Sequence, residues 1–185
     1  FEVPVPQGWE EPVMWVVPGG SFLEPVSVSP ASPGRIVETL SSGSTVYVYP
    51  EAFADDMPLF QRGRTDVLML SLTEIYDEFN GGVRDPNAVR AFFAHAVETW
   101  STPPDQLVLV GDGHWDSRGF TTDRPCPMDV LSFQFYSGHP VCSDHLYTTP
   151  TSYGLPEAAV SRIPVSTRTE LQLVAQKSAA YADPT

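Results

Sequence analysis

A chain of 185 residues with 42% hydrophobic content is long enough for one domain with a real core and has an ordinary globular composition. Ten basic residues against 23 acidic ones leave a formal net charge of −13, which argues against nucleic-acid binding, since that needs a positive surface. No apolar run is long enough to span a bilayer, and a chain that opens on Phe1 without a secretory signal reads as a piece of something longer.

Residues 1–43 form a β-rich segment by their texture. Glu2-Val3-Pro4-Val5-Pro6, Val13-Met14-Trp15-Val16-Val17 and the run Phe22 to Val28 are short apolar stretches broken by proline and glycine, the habit of edge strands and turns. They read as the end of a preceding β domain or as an arm lying on the main one. Residues 44–185 form the second region, where the pattern turns to strand–helix alternation.

Thr45-Val46-Tyr47-Val48-Tyr49 is a β-branched and aromatic strand. Pro50 opens a helix over 51–60. A second buried strand covers 66–72, and Thr73 is the expected cap of a helix through 74–79 that Asn80-Gly81-Gly82 ends. Asp85-Pro86 starts the next helix, with an acid at the N-cap and proline at the first position. Val89, Phe92, Phe93, Ala96, Val97 and Trp100 then fall at helical spacing, predicting a sheet-packing helix over 86–100 with His95 on its flank.

Leu107-Val108-Leu109-Val110 is apolar without alternation, as in a strand buried on both faces. It stops at Gly111, where a tight turn is free to form. Asp112, His114 and Asp116 follow, beyond a carboxyl strand end, where ligands gather in open α/β sheets. The plainer alternative is that Asp112 caps the turn and Asp116 is solvated. Residues 117–156 are a long connection with enough aromatic mass to fold down. A fourth strand covers 157–163. Thr167 and Glu170 make a capping box, and Leu171, Val174, Ala175 and Tyr181 form the buried stripe of a helix over 167–181. The sum is a three-layer α/β unit on a mainly parallel four-stranded sheet, with strand 106–110 inside it. Cys126 and Cys142 lie in one proline-flanked stretch. A disulfide, two free thiols or a catalytic thiol all suit them; a structural zinc site does not, since two cysteines are too few.

Four strings, in order, resemble the gingipain-type cysteine peptidases. Glu74-Ile75-Tyr76-Asp77-Glu78-Phe79-Asn80-Gly81-Gly82 with Asp85-Pro86-Asn87-Ala88-Val89-Arg90 is similar to that family's helix pair. Leu107 to Asp112 resembles its hallmark strand and Gly-Asp turn. Cys142-Ser143-Asp144-His145-Leu146-Tyr147 resembles its Ser/Thr-Asp-x-x-Tyr segment, and Glu157 to Tyr181 its acid, strand, Arg-Ile/Leu-Pro-Val and helix stretch. The resemblance covers residues 44–182 and implies a caspase-like catalytic domain of two side-by-side α/β subdomains, of which this is the first.

In that family the catalytic histidine, in a Gly-His-Gly-type turn, and the nucleophilic cysteine belong to the second subdomain, and neither motif occurs here. The chain is therefore expected to be inactive alone, to need the second subdomain as partner, and to act on peptide or protein substrates in a secreted or cell-surface protein. The resemblance gives Glu157 the role of orienting the catalytic histidine. It gives Gly111, Asp112 and Asp144 the role of holding loops at the sheet edge. No cofactor is required, although the carboxylates Asp112, Asp116 and Asp144 suit calcium. Competing readings are a non-catalytic caspase-like module of a large surface or secreted protein, a metal hydrolase using Asp112, His114, Asp116, Asp144 and His145, and a peptidase built on Cys142/His139 or Cys126/His114.

Overall fold

The computed structural model describes residues 34–113, 143–149 and 154–182, together with the backbone of 133–136 and 139–142. The β-rich strings before residue 34, His114, Asp116 and Cys126 fall outside the described residues, as do the side chains of His139 and Cys142. So the Cys126–Cys142 pairing lies outside them too.

In chain order the elements are α1 (Arg35–Thr39), β1 (Thr45–Tyr49), a first 3₁₀ helix (Glu51–Asp56), α2 (Pro58–Gln61), β2 (Val67–Ser71), α3 (Leu72–Asn80), α4 (Pro86–Thr99) and β3 (Gln106–Val110). There follow β4 (Phe133–Tyr136), β5 (His139–Cys142), a second 3₁₀ helix (His145–Thr148), β6 (Ala159–Ile163) and α5 (Arg168–Ala182). Four strands make one sheet in the order β2-β1-β3-β6, with every neighbouring pair parallel. Thr45 pairs with both Val67 and Gln106, and Gln106 pairs with Ala159. β3 is therefore interior, as its unbroken apolar run demands.

Alternate residues of each strand enter opposite layers, since side chains leave a strand with a period of two. Val46, Val48, Leu107 and Leu109 face a core closed by α1, α3, α4 and Tyr147 of the second 3₁₀ helix. Tyr47, Tyr49, Met69 and Val110 face the other, closed by Phe53, Phe60 and Leu171. Phe92, Phe93, Ile75 and Leu171 are fully buried, and each such side chain contributes about 1.5–3 kcal/mol of transfer free energy. The result is a three-layer α/β unit, as expected.

Several local readings are corrected. The helix over 51–60 is two helices, because Pro58 lacks an N–H and its ring crowds the carbonyl four residues back. Proline then serves as the first residue of α2. The cap of α3 is Ser71, not Thr73: the Ser71 hydroxyl accepts from Glu74 N at 3.2 Å, and Glu74 Oε2 accepts from Ser71 N at 3.0 Å. Residue 74 is an acid three places after Ser71, which is what a capping box requires. Gly81 ends α3 with φ 59°, and Asp85 caps α4 through Asn87 N at 2.7 Å.

The connection after β3 is not wholly irregular: β4 and β5 pair antiparallel, and a 3₁₀ helix follows. β6 starts two residues after Glu157. Tyr181, expected in the buried stripe of the last helix, is 90% exposed. Tyr181 comes ten residues after Leu171, which at about 100° per residue puts it about 80° round the helix, off the stripe of Leu171 and Ala175 that α5 buries. His95 does lie on a helix flank, with its ring 5.6 Å from that of Phe79.

One helix was not legible at all. α1 has five residues, too few to hold themselves. Both oxygens of Glu78 accept its first amides, from Ile36 at 3.0 Å and Val37 at 2.9 Å, and Arg35 pairs with Glu74 at 2.8 Å. Ile36 is fully buried beneath it.

Candidate functional site

The expected site residues divide between the two ends of the sheet. Gly111 follows β3 at the carboxyl end. Its φ of 118° is a conformation that glycine alone adopts without strain. The turn stays tied to the neighbouring strand: Gly111 N donates to Ile163 O at 2.9 Å and Asp112 N to Val165 O at 3.0 Å. The Asp112 carboxylate is exposed, and its Oδ1 accepts from Gly113 N at 2.9 Å. That is the local turn bond that makes aspartate common in such places.

Asp144 joins the same end through Arg162, a residue to which the sequence reading gave no role. Nε of Arg162 donates to Asp144 Oδ2 at 2.8 Å and Nη2 to Oδ1 at 2.6 Å, while Nη1 donates to Gly111 O at 2.9 Å. A two-pronged guanidinium–carboxylate pair fixes direction as well as distance. Burial disfavours the Arg162 charge, but the hydrogen bonds and charge of Asp144, with Tyr147 and Asp112 adding, outweigh it and hold the pKa above its usual value. One cation from β6 thus fastens the turn after β3 to the N-cap of the second 3₁₀ helix. The sequence signals for it were a charged residue in the middle of a short apolar strand and its place as the arginine of the Arg-Ile/Leu-Pro-Val string.

Glu157 stands at the other end. β6 runs parallel to β3 and its first residue pairs with Gln106, at the start of β3. The full length of the strands therefore separates Glu157 from Asp112, while Asp144 is linked to Glu157 through the second 3₁₀ helix, whose last residue, Thr148, accepts the Glu157 amide. Glu157 is exposed, beside the sheet edge that β6 forms. Its backbone is nonetheless fixed: Glu157 N donates to Thr148 O at 2.7 Å, and Ala159 N to Asp105 O at 2.9 Å. Thr148 is fully buried, and the next carbonyl, of Thr149, accepts Nε of Arg90 at 2.8 Å.

The described residues do not assemble a calcium site. Asp144 gives both oxygens to Arg162, so a metal ion there would lie against a guanidinium. Among the described residues no group of three or more His, Cys, Asp or Glu side chains converges to hold a metal ion. His145 points its Nδ1 at the hydroxyl of Ser143, two residues away. A cavity of about 400 Å³ opens at the carboxyl ends of β1 and β2, lined by Pro50, Glu51, Thr73, Tyr76, Asp77 and Arg84, and holds none of the expected site residues. Among the described residues no helix is long and apolar enough to cross a membrane.

The family model for peptidase family C25 matches residues 38–185. No curated protein matches the chain. Among solved structures, dimeric latent PorU from Porphyromonas gingivalis is similar at a TM-score of 0.60 and 18% identity, over 78% of this chain and 16% of that one. At that identity the likeness is one of fold. The chain spans a small part of PorU's length.

Proposed function

We propose that this chain, which belongs to peptidase family C25, is the first subdomain of the catalytic domain in a gingipain-like cysteine endopeptidase. The rest of the protein supplies the nucleophilic thiol and the catalytic histidine. In the reaction, a thiolate attacks the peptide carbonyl, and the imidazole that took its proton passes it to the leaving amine. Glu157 accepts the other imidazole N–H, fixing the tautomer and stabilising the imidazolium.

The observation that carries this reading is the sheet edge at β6. Among the described residues β6 pairs on one side only, with β3, and Ala159 and Ser161 are exposed along it. An open strand edge is normally covered in the working protein. Glu157 stands at the head of that edge, with a fixed backbone and an exposed side chain. A partner subdomain docking there brings an imidazole to the carboxylate without either crossing the core.

The test has two arms. Glu157→Gln in the full-length protein should lower peptide turnover while leaving the fold intact, because an amide does not support an imidazolium as a carboxylate does. The chain 1–185 alone should not cleave peptides. Turnover by that chain, abolished by Cys126→Ala or Cys142→Ala, would overturn the assignment of the nucleophile to the rest of the protein. The same reading makes the protein secreted or surface-exposed, with a Cys126–Cys142 disulfide worth about 3 kcal/mol in the chain-entropy model. Mass spectrometry of unreduced protein that finds two free thiols would remove that part.

A further inference from the structure

The second 3₁₀ helix is held at both of its caps by guanidinium groups from different layers. Arg162, from the sheet, grips its N-cap residue Asp144. Arg90, from α4, donates Nε to the carbonyl of its C-cap residue Thr149 at 2.8 Å. Between the caps the helix closes on itself: the hydroxyls of Thr148 and Thr149 both return to the His145 carbonyl, at 3.2 and 2.9 Å. Four residues are too few for a helix to keep its place unaided, so these anchors decide where its carbonyls point.

One of those carbonyls locates Glu157. Thr148 O accepts the Glu157 amide at 2.7 Å, and the adjacent Thr149 O is the one that Arg90 holds. Two neighbouring peptide groups thus join Arg90 to Glu157. The other backbone bond near Glu157, Ala159 N to Asp105 O, fixes the strand start two residues later and leaves the orientation of residue 157 to the Thr148 bond. Pro156 before it supplies no amide of its own.

We infer that Arg90 is a positioning residue for Glu157, acting through the Thr148–Thr149 backbone. The inference rests on the reading of Glu157 as the acid behind the catalytic histidine. A carboxylate on an exposed edge has many rotamers and approaches, and orientation of a catalytic group is worth large factors in rate. Fixing its main chain from the core side narrows them. Lysine is not a substitute for arginine here, since it has no side-chain donor at the Nε position along the stem.

The experiment is a double-mutant cycle on peptide turnover in the full-length protein, with kcat and KM measured separately. Arg90→Met should lower kcat about tenfold with KM changed by less than about twofold, the scale found for groups that orient a catalytic residue. In the Glu157→Gln background the same change should cost less than about twofold, because coupled residues are not additive. Arg90→Lys keeps the charge and the stem, serves if Arg90→Met unfolds, and should show the same loss of coupling. Equal fold-losses in the two backgrounds make Arg90 merely structural and overturn the inference. So does full kcat in Arg90→Met beside an impaired Glu157→Gln, a result that leaves the role of Glu157 standing. Full turnover in Glu157→Gln removes both.

Discussion

Arg162 and Asp144, 18 positions apart in the chain, meet through two parallel hydrogen bonds of 2.6 and 2.8 Å, and the third guanidinium nitrogen binds the Gly111 carbonyl. The side chains are 15% and 32% exposed, so the pair is neither a solvated surface bridge nor a sealed one. Its worth is structural: one cation connects the turn after β3, the second 3₁₀ helix and the edge strand.

Asp144→Ala leaves that half-buried cation without its main partner. It should destabilise the fold by about 2–3 kcal/mol, below the value for a fully buried pair. Arg162→Lys should lose part of the same amount, because an ammonium does not reproduce the fork. Urea unfolding of both variants measures this, and a shift under about 0.5 kcal/mol for Asp144→Ala would mean that the pair is surface decoration.

Asp56 gives a pH dependence with a definite sign. It is buried between the first 3₁₀ helix and α5, accepting from Arg168 Nε at 2.6 Å and Gln172 Nε2 at 2.8 Å. The Arg168 hydrogen bond first, then that of Gln172, hold its carboxyl below the usual value. A folded-state pKa below the unfolded one contributes stability that is fully present above the unfolded value, near about pH 4, and is lost as pH falls through the lower folded one. The melting temperature of the wild type should therefore exceed that of Asp56→Asn by a constant amount at neutral pH. The gap should close in acid below about pH 4. A gap that widens in acid would contradict the sign.

Ser71→Ala removes one half of the capping box on α3. It should cost about 1 kcal/mol in thermal or urea unfolding. Thr73→Ala, in the same first turn but with a side chain that takes no part in the capping box, should cost clearly less.

Tyr181 and Leu171 test which face of the last helix meets the core. Leu171 is fully buried and Tyr181 is 90% exposed. Leu171→Ala should cost about 2–5 kcal/mol, and Tyr181→Ser should stay within about 0.5 kcal/mol. A large cost for Tyr181→Ser would mean that this face of the helix is packed in the protein.

What was legible in the sequence follows the range of the forces involved. Leu107 to Val110 announces a central strand, because burial on both faces leaves a local mark. Asp85-Pro86 and Thr167 with Glu170 announce helix starts, because caps act over three residues. The Ser71 cap is equally visible, since Glu74 follows three places later, the spacing of a capping box. α1 was beyond reach: its support comes from Glu74 and Glu78, 39 to 42 positions away. The anchoring roles of Arg162 and Arg90 depend on partners 18 and 59 positions distant, which no local pattern encodes. The division of the site residues was derivable in part. In a parallel sheet, a residue ahead of one strand and a residue behind its neighbour stand at opposite ends, so Glu157 and Asp112 are apart as soon as β3 and β6 are parallel.

The pairing of Thr45 with Gln106, 61 positions later, means that β1 is flanked on both sides only once β3 has been made. When β1 and β2 have left the ribosome they can pair with one another, but the other side of β1 stays bare until α3, α4 and β3 have followed. Val46 and Val48, fully buried in the finished protein, wait through that interval on a strand with an open flank. Folding should therefore be slower than in a domain of local contacts, since distant pairings must be closed before they repay the lost chain freedom. Refolding from denaturant should be most prone to aggregation early, before β3 docks. A truncation that stops between α4 and β3 should be insoluble for the same reason.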